Sequence, residues 1–236
     1  MSYINKYATE QNDVAIAAGR TGTPQTYTKG GELARGSITF ADNPTANDTV
    51  TLNGKVIKFS ASASDFTTAG SVADPFILNI KASLTLTLDE VATQTNGSAN
   101  ASLSVATYAN SGGTILTIVY DTYTSTGNSY TLAASADTAS GATLTGGQAK
   151  VTLSSATENI ELAISDSNDQ HYILANESEF TRRTIAMTAK GSGNAVITPA
   201  SFSSGTTITF NTDGDIWFGI FINGAWKTVA SDATVA

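Results

Sequence analysis

Hydrophobic and polar residues alternate with a period of two along most of this chain. Val50 and Leu52 alternate with Thr49 and Thr51, and Val56–Phe59 returns after Asn53-Gly54. Period two is the signature of a strand with one buried face. Asn-Gly between two such runs predicts a hairpin closed by a type I′ turn, because both residues tolerate positive φ. Residues 36–59 therefore read as a hairpin, with Ser37–Phe40 as a first strand and Asp42–Asp48 as a loop.

Residues 60–100 carry a mixed signal. Asp74-Pro-Phe-Ile-Leu-Asn-Ile80 has the form of a helix opening, with Pro tolerated in the first turn. Leu84, Leu86 and Leu88 alternate with Thr85 and Thr87, which is strand-like. Leu84, Leu88 and Val91 also fit i, i+4, i+7, with Asp89-Glu90 opposite. The second pattern predicts a helix from about Ser83 to Thr95, stopped at Asn96-Gly97. Ala101–Tyr108, Thr114–Tyr120 and Tyr130–Ala133 follow as short strands joined by Gly-rich turns.

From residue 148 onward, strands recur about every ten residues: Lys150–Leu153, Ile160–Ile164, Tyr172–Ala175, Ile185–Ala189, Ala195–Thr198 and Thr207–Phe210. That spacing is a sandwich pattern. Ile216–Ile222, Asn223-Gly224 and Ala225–Val229 make a last hairpin. Its Trp217, Phe218, Phe221 and Trp226 read as core. Trp217 and Trp226 have a second reading, as stacking platforms for a sugar.

Residues 1–35 show no sustained periodicity. A short helix fits Glu10–Ala18, after which Gly19–Pro24 and Gly30-Gly31 break the pattern. This predicts an extended arm, with Tyr3, Ile4, Tyr7 and Tyr27 as contact residues. Three parts result: the arm (1–35), a β-rich module with one central helix near 83–95 (36–147), and a C-terminal β-sandwich-like domain (148–236). The fold class is mainly β.

Composition supports a β-rich, weakly charged chain. Of 236 residues, 14% are charged and 41% hydrophobic, against about 25% charged in ordinary soluble proteins. Net charge is −8. The arm's Lys6, Arg20, Lys29 and Arg35 outweigh Glu10, Asp13 and Glu32 by one, leaving the body at −9. An acidic body does not suit a phosphate backbone, so nucleic acid is not an expected partner. No apolar run reaches membrane-spanning length. The first residues, Met-Ser-Tyr-Ile-Asn-Lys-Tyr, lack a secretory h-region, so synthesis in a cytoplasm is expected.

Reactive residue types are scarce. There is no cysteine, and His171 is the single histidine, which rules out the common zinc ligand sets. No Gly-x-Ser-x-Gly elbow accompanies His171. Asp166, Asn168 and Asp169, and Asp213 and Asp215 around Gly214, are hard-oxygen candidates for calcium. They lack the spacing of an EF-hand loop and read as turn residues. Asp121 beside Tyr120 and Tyr123 is the nearest approach to a glycosidase acid. Gly112-Gly113 and Gly146-Gly147 do not open phosphate-binding helices. Arg182-Arg183 is a small basic spot, suited to an inter-subunit contact. The expectation is a non-enzymatic chain without catalytic residues, metal or cofactor.

The order Asp48-Thr-Val-Thr-Leu-Asn-Gly54, helix, Gly127-Asn-Ser-Tyr-Thr-Leu132 and Leu144-Thr-Gly-Gly147 resembles a small β-rich module of tailed-bacteriophage virion proteins. Residues 148–236 are similar to terminal β domains of head-decoration and fibre proteins, through Gly214-Asp-Ile-Trp-Phe218 and Asn223-Gly-Ala-Trp226. The resemblance implies a virion location and a role as capsid decoration or cement protein, with the major capsid protein or other virion proteins as partners. Alone, such a chain is expected as a monomer or homotrimer. The alternatives are a tail tube, adaptor or fibre component, or a carbohydrate-binding adhesin module.

Overall fold

The computed structural model describes residues 24–154 and 158–236. Among them the chain is mainly β with one α-helix. It divides into two compact units: Glu32–Ala149, and Lys150–Ala236 together with the described residues up to Gly31. Tyr3, Ile4, Tyr7 and the helix expected over Glu10–Ala18 lie outside the described residues. The first strand, β1 (Gln25–Tyr27), belongs to the second unit.

The Glu32–Ala149 unit contains β2 (Arg35–Thr39), β3 (Thr49–Leu52), β4 (Lys55–Ser60), β5 (Phe76–Asn79), α1 (Leu84–Asn96), β6 (Ala106–Ser111), β7 (Ile115–Tyr120), β8 (Leu132–Ala134) and β9 (Thr138–Ala139). Two four-stranded sheets, β5-β4-β3-β8 and β6-β7-β2-β9, enclose one core. Val50, Leu52, Ile57 and Phe59 fill it from one sheet, Ile38, Leu116 and Ile118 from the other, and Leu88 and Val91 from α1.

The β3–β4 hairpin forms as the Asn-Gly signal predicts, with φ of 49° at Asn53 and 74° at Gly54. Ser37–Phe40 does not join it. β2 instead pairs with β7 and β9 in the opposite sheet. The polar loop after Phe40 is long enough to cross the ~10 Å between packed layers, and Asn47 turns within it at φ 80°.

Residues 74–80 are not a helix opening. Phe76–Asn79 is a strand parallel to β4, with Phe76 and Leu78 inward. Period two prevails there, and Pro75 sits before the first paired residue, where its missing N–H interrupts no ladder. Residues 101–105 are turns, so β6 begins at Ala106 rather than Ala101.

In α1 the helical period prevails. Thr87, Leu88, Val91 and Thr95 are buried, and Leu86, on the rival strand phase, is left 52% exposed. The inward threonines are satisfied locally: Thr95 Oγ1 donates to Val91 O at 2.7 Å, and Thr87 Oγ1 accepts the Lys81 N–H at 3.0 Å. Ser83 caps the first turn in extended conformation, its Oγ accepting from Leu86 N. At the other end Asn96 exchanges two hydrogen bonds with the Tyr108 backbone, at 2.9 and 3.0 Å, fixing the helix to β6.

The second unit adds β10 (Val151–Leu153), β11 (Asn159–Ala163), β12 (Gln170–Leu174), β13 (Arg182–Ala189), β14 (Ala195–Pro199), β15 (Ile208–Phe210), β16 (Ile216–Ile222), β17 (Ala225–Ser231) and β18 (Thr234–Val235). Two five-stranded sheets, β1-β11-β13-β16-β17 and β10-β12-β14-β15-β18, share a core. From β10 to β14 consecutive strands alternate between sheets. Neighbours within a sheet are therefore parallel, β10 with β12 and β14, and β1 with β11 and β13. From β15 onward the pairing is antiparallel.

Trp217, Trp226 and Phe221 pack edge-to-face at the centre, with ring centroids 5.9 and 5.5 Å apart. Each indole N–H has a partner, Thr228 Oγ1 at 3.0 Å and Ala175 O at 2.9 Å. Both Trp side chains are fully buried. They are core, and neither ring is available as a stacking platform for a sugar.

Candidate functional site

Tyr27, expected as an arm contact, is committed inside the second unit. β1 pairs in parallel with β11, and the Tyr27 hydroxyl donates to Ser154 O at 2.7 Å and accepts Ser154 N at 2.9 Å. Its ring meets Tyr172 edge-on. Farther along, Gly31 and His171 exchange backbone hydrogen bonds at 2.7 and 2.8 Å. Gly30 passes so close to Tyr172 that a Cβ there would lie 2.8 Å from the ring. That close approach explains a glycine where the sequence suggested only a break.

The Arg182-Arg183 doublet is split by the strand period. Arg183 shares the inward phase with Ile185 and Met187 and is only 7% exposed, whereas Arg182 faces out. The Arg183 guanidinium pairs with Glu177 Oε1 at 2.8 Å and donates to Arg182 O at 3.3 Å. One of the two cations thus serves the fold and the other remains on the surface.

The loop before β13 presents a residue that the sequence pass did not single out. Phe180 is 68% exposed and has φ of 67°, the left-handed region that bulky L-residues avoid at roughly 1–2 kcal/mol. It is held on both sides. Phe180 N–H donates to Phe221 O at 2.7 Å, and Phe221 N–H donates to Thr181 O at 2.8 Å. The preceding Glu179 carboxylate accepts from Asn223 N and Gly224 N, both at 2.9 Å.

An aromatic ring held outward on strained backbone, two positions from an exposed arginine, has the composition of a protein-contact anchor. No signal in the sequence marks it: Phe180 lies in the loop before β13, outside the strand alternation, so the period of two does not say which way it faces.

The candidates for chemistry are spent on turns and strand positions. His171 takes an outward position on β12. Asp169 Oδ1 accepts Asn194 N, and Asp215 Oδ2 accepts both Asn211 N and Thr212 N at 2.9 Å. Asp121 accepts from Thr107 Oγ1 at 2.8 Å. Gly112 and Gly113, with φ of 64° and 80°, turn the β6–β7 hairpin. Among the described residues, no three His, Cys, Asp or Glu side chains are grouped to hold a metal. No described helix is long and apolar enough to cross a membrane.

Compared with family models, curated proteins and solved structures, the chain matches none of them.

Proposed function

We propose that the chain is a non-enzymatic structural component of a tailed-phage virion, a capsid decoration or cement protein that bridges capsid subunits. The observation that carries this reading is Phe180, a large apolar side chain fixed outward in left-handed backbone beside exposed Arg182. Strain of this kind persists where the surroundings over-determine it, and function is its usual reason. The virion setting comes from the resemblance of residues 36–147 and of the final hairpin.

Because Pro24–Gly31 is built into the second unit, the contacts expected of residues 1–35 fall to Tyr3, Ile4 and Tyr7. The partner is the major capsid protein or another virion protein, and the site is virion-borne. Repeated weak contacts over a lattice become strong, since each one makes the next effectively intramolecular.

The test is co-sedimentation of the full chain with purified capsid shells of the phage that encodes it. Saturable binding, lost on deletion of residues 1–23 and weakened at least tenfold by Phe180→Asn, supports the reading. A chain that leaves the shells in the supernatant at every concentration contradicts it.

A further inference from the structure

In the Glu32–Ala149 unit a cleft of about 420 Å³ opens between the segment around Phe66 and the C-terminal end of α1. That volume lies in the ordinary range for small-ligand sites. One wall is aromatic. Phe66 stacks on buried Phe76 with ring centroids 4.7 Å apart and planes 9° apart, and it remains partly exposed. Gln94, Ser98 and Asn100 line it from the α1 side, and Thr68 from the segment of Phe66.

Each of these polar side chains is tied to the protein by one hydrogen bond and keeps another valence open. Gln94 donates its amide to Glu90 Oε1 at 3.0 Å, leaving its carbonyl oxygen. Asn100 Oδ1 accepts Ser102 N at 3.0 Å, leaving its NH₂. Ser98 Oγ accepts Asn100 N at 3.2 Å, leaving its O–H to donate. Thr68 Oγ1 donates to Pro75 O at 2.8 Å, leaving its lone pairs. The cleft therefore offers two donors and two acceptors, each oriented by a bond to the protein and so needing little ordering when a ligand arrives.

We infer that this cleft binds a neutral saccharide. A mixed set of neutral donors and acceptors suits sugar hydroxyls, each of which both donates and accepts, and an aromatic wall suits the C–H face of a pyranose ring. No Lys, Arg, Asp or Glu lines the cleft. A sulfated, phosphorylated or carboxylated ligand would lose its hydration without gaining a counter-charge. This site is separate from the buried tryptophans and from Phe180, and it does not depend on the capsid reading.

The test is a glycan array of neutral and acidic glycans probed with the full chain, followed by calorimetric titration of the neutral glycan with the highest signal. Asn100→Asp keeps an acceptor for Ser102 N and replaces the NH₂ donor with a charged acceptor, so a sugar hydroxyl that accepts from Asn100 loses its donor. It should weaken that glycan at least tenfold with an unchanged melting temperature, and Phe66→Ala should weaken it as much. Signal confined to acidic glycans overturns the inference. So does binding that both variants leave intact, or the absence of any signal at millimolar neutral glycan.

Discussion

The carboxylate of Glu179 accepts the backbone N–H of Asn223 at 2.9 Å and, through its other oxygen, that of Gly224 at the same distance. Asn223 and Gly224 have φ of 54° and 73°, the type I′ turn closing β16–β17. One side chain thereby ties the loop that carries Phe180 to the tip of the last hairpin. Charge-assisted bonds to an exposed carboxylate are worth about 1–2 kcal/mol. Glu179→Ala is expected to lower the unfolding free energy by that amount, read as a lower urea midpoint with an unchanged m-value. An unmoved midpoint would show that the turn holds without its brace.

Phe180→Asn separates presentation from folding. Asn tolerates the left-handed region, so stability should hold or rise by up to about 1 kcal/mol, while binding to capsid shells falls. Loss of more than about 1 kcal/mol in chemical denaturation would instead make Phe180 a residue of the fold.

The two arginines should behave oppositely. Arg183→Ala strands a partly buried Glu177 carboxylate, and because that carboxylate is partly wet the cost is expected near about 2 kcal/mol, below that of a fully buried pair. Arg182→Ala, on the surface, should change stability by less than about 0.5 kcal/mol. Equal effects in urea melts would contradict the split assignment.

Tyr108 and Tyr130 make the other directional prediction. The Tyr108 hydroxyl donates to Leu103 O at 2.9 Å, so in their mutual bond Tyr130 is the donor. Tyr108→Phe strands the Tyr130 O–H and takes the shorter of two donors from the Leu103 carbonyl, which keeps the Ala106 N–H at 3.3 Å, whereas Tyr130→Phe removes only a donor. The first should cost more, by about 1 kcal/mol. Burial pushes Tyr108 up to about 12, and burial together with Tyr108 raises Tyr130 as well. Both phenols stay protonated in the folded unit at pH values where the unfolded chain ionises. Their contribution is thus complete below pH ~10 and lost as pH rises towards 12. Ultraviolet titration of tyrosinate should show these two ionising late, in company with Tyr172, which burial also raises, and together with unfolding.

Local signals were legible in this sequence and long-range pairing was not. Asn53-Gly54 and Asn223-Gly224 require positive φ and announce their turns. The spacing of Leu84, Leu88 and Val91 located α1 to within a residue of Ser83–Thr95. Trp217 and Trp226 read as core because Phe221 shares their hairpin. By contrast, nothing near Ser37–Phe40 says that its partners are β7 and β9, because that choice depends on residues about eighty and about a hundred positions away. The parallel pairing of β1 with β11 has no turn signature at all, so Tyr27 looked like an arm residue. The cleft beside Phe66 was equally hidden, since Phe66 and Asn100 come to line one cleft only through the tertiary packing of segments far apart in sequence.

The most direct test of the structural-protein account is to look for the chain in tailed-phage virions purified from the source of its gene, by peptide mass spectrometry with immunogold labelling. The account predicts many copies per particle and labelling over the head. Virions devoid of the chain would contradict it, and labelling confined to the tail would replace the capsid assignment with a tail one.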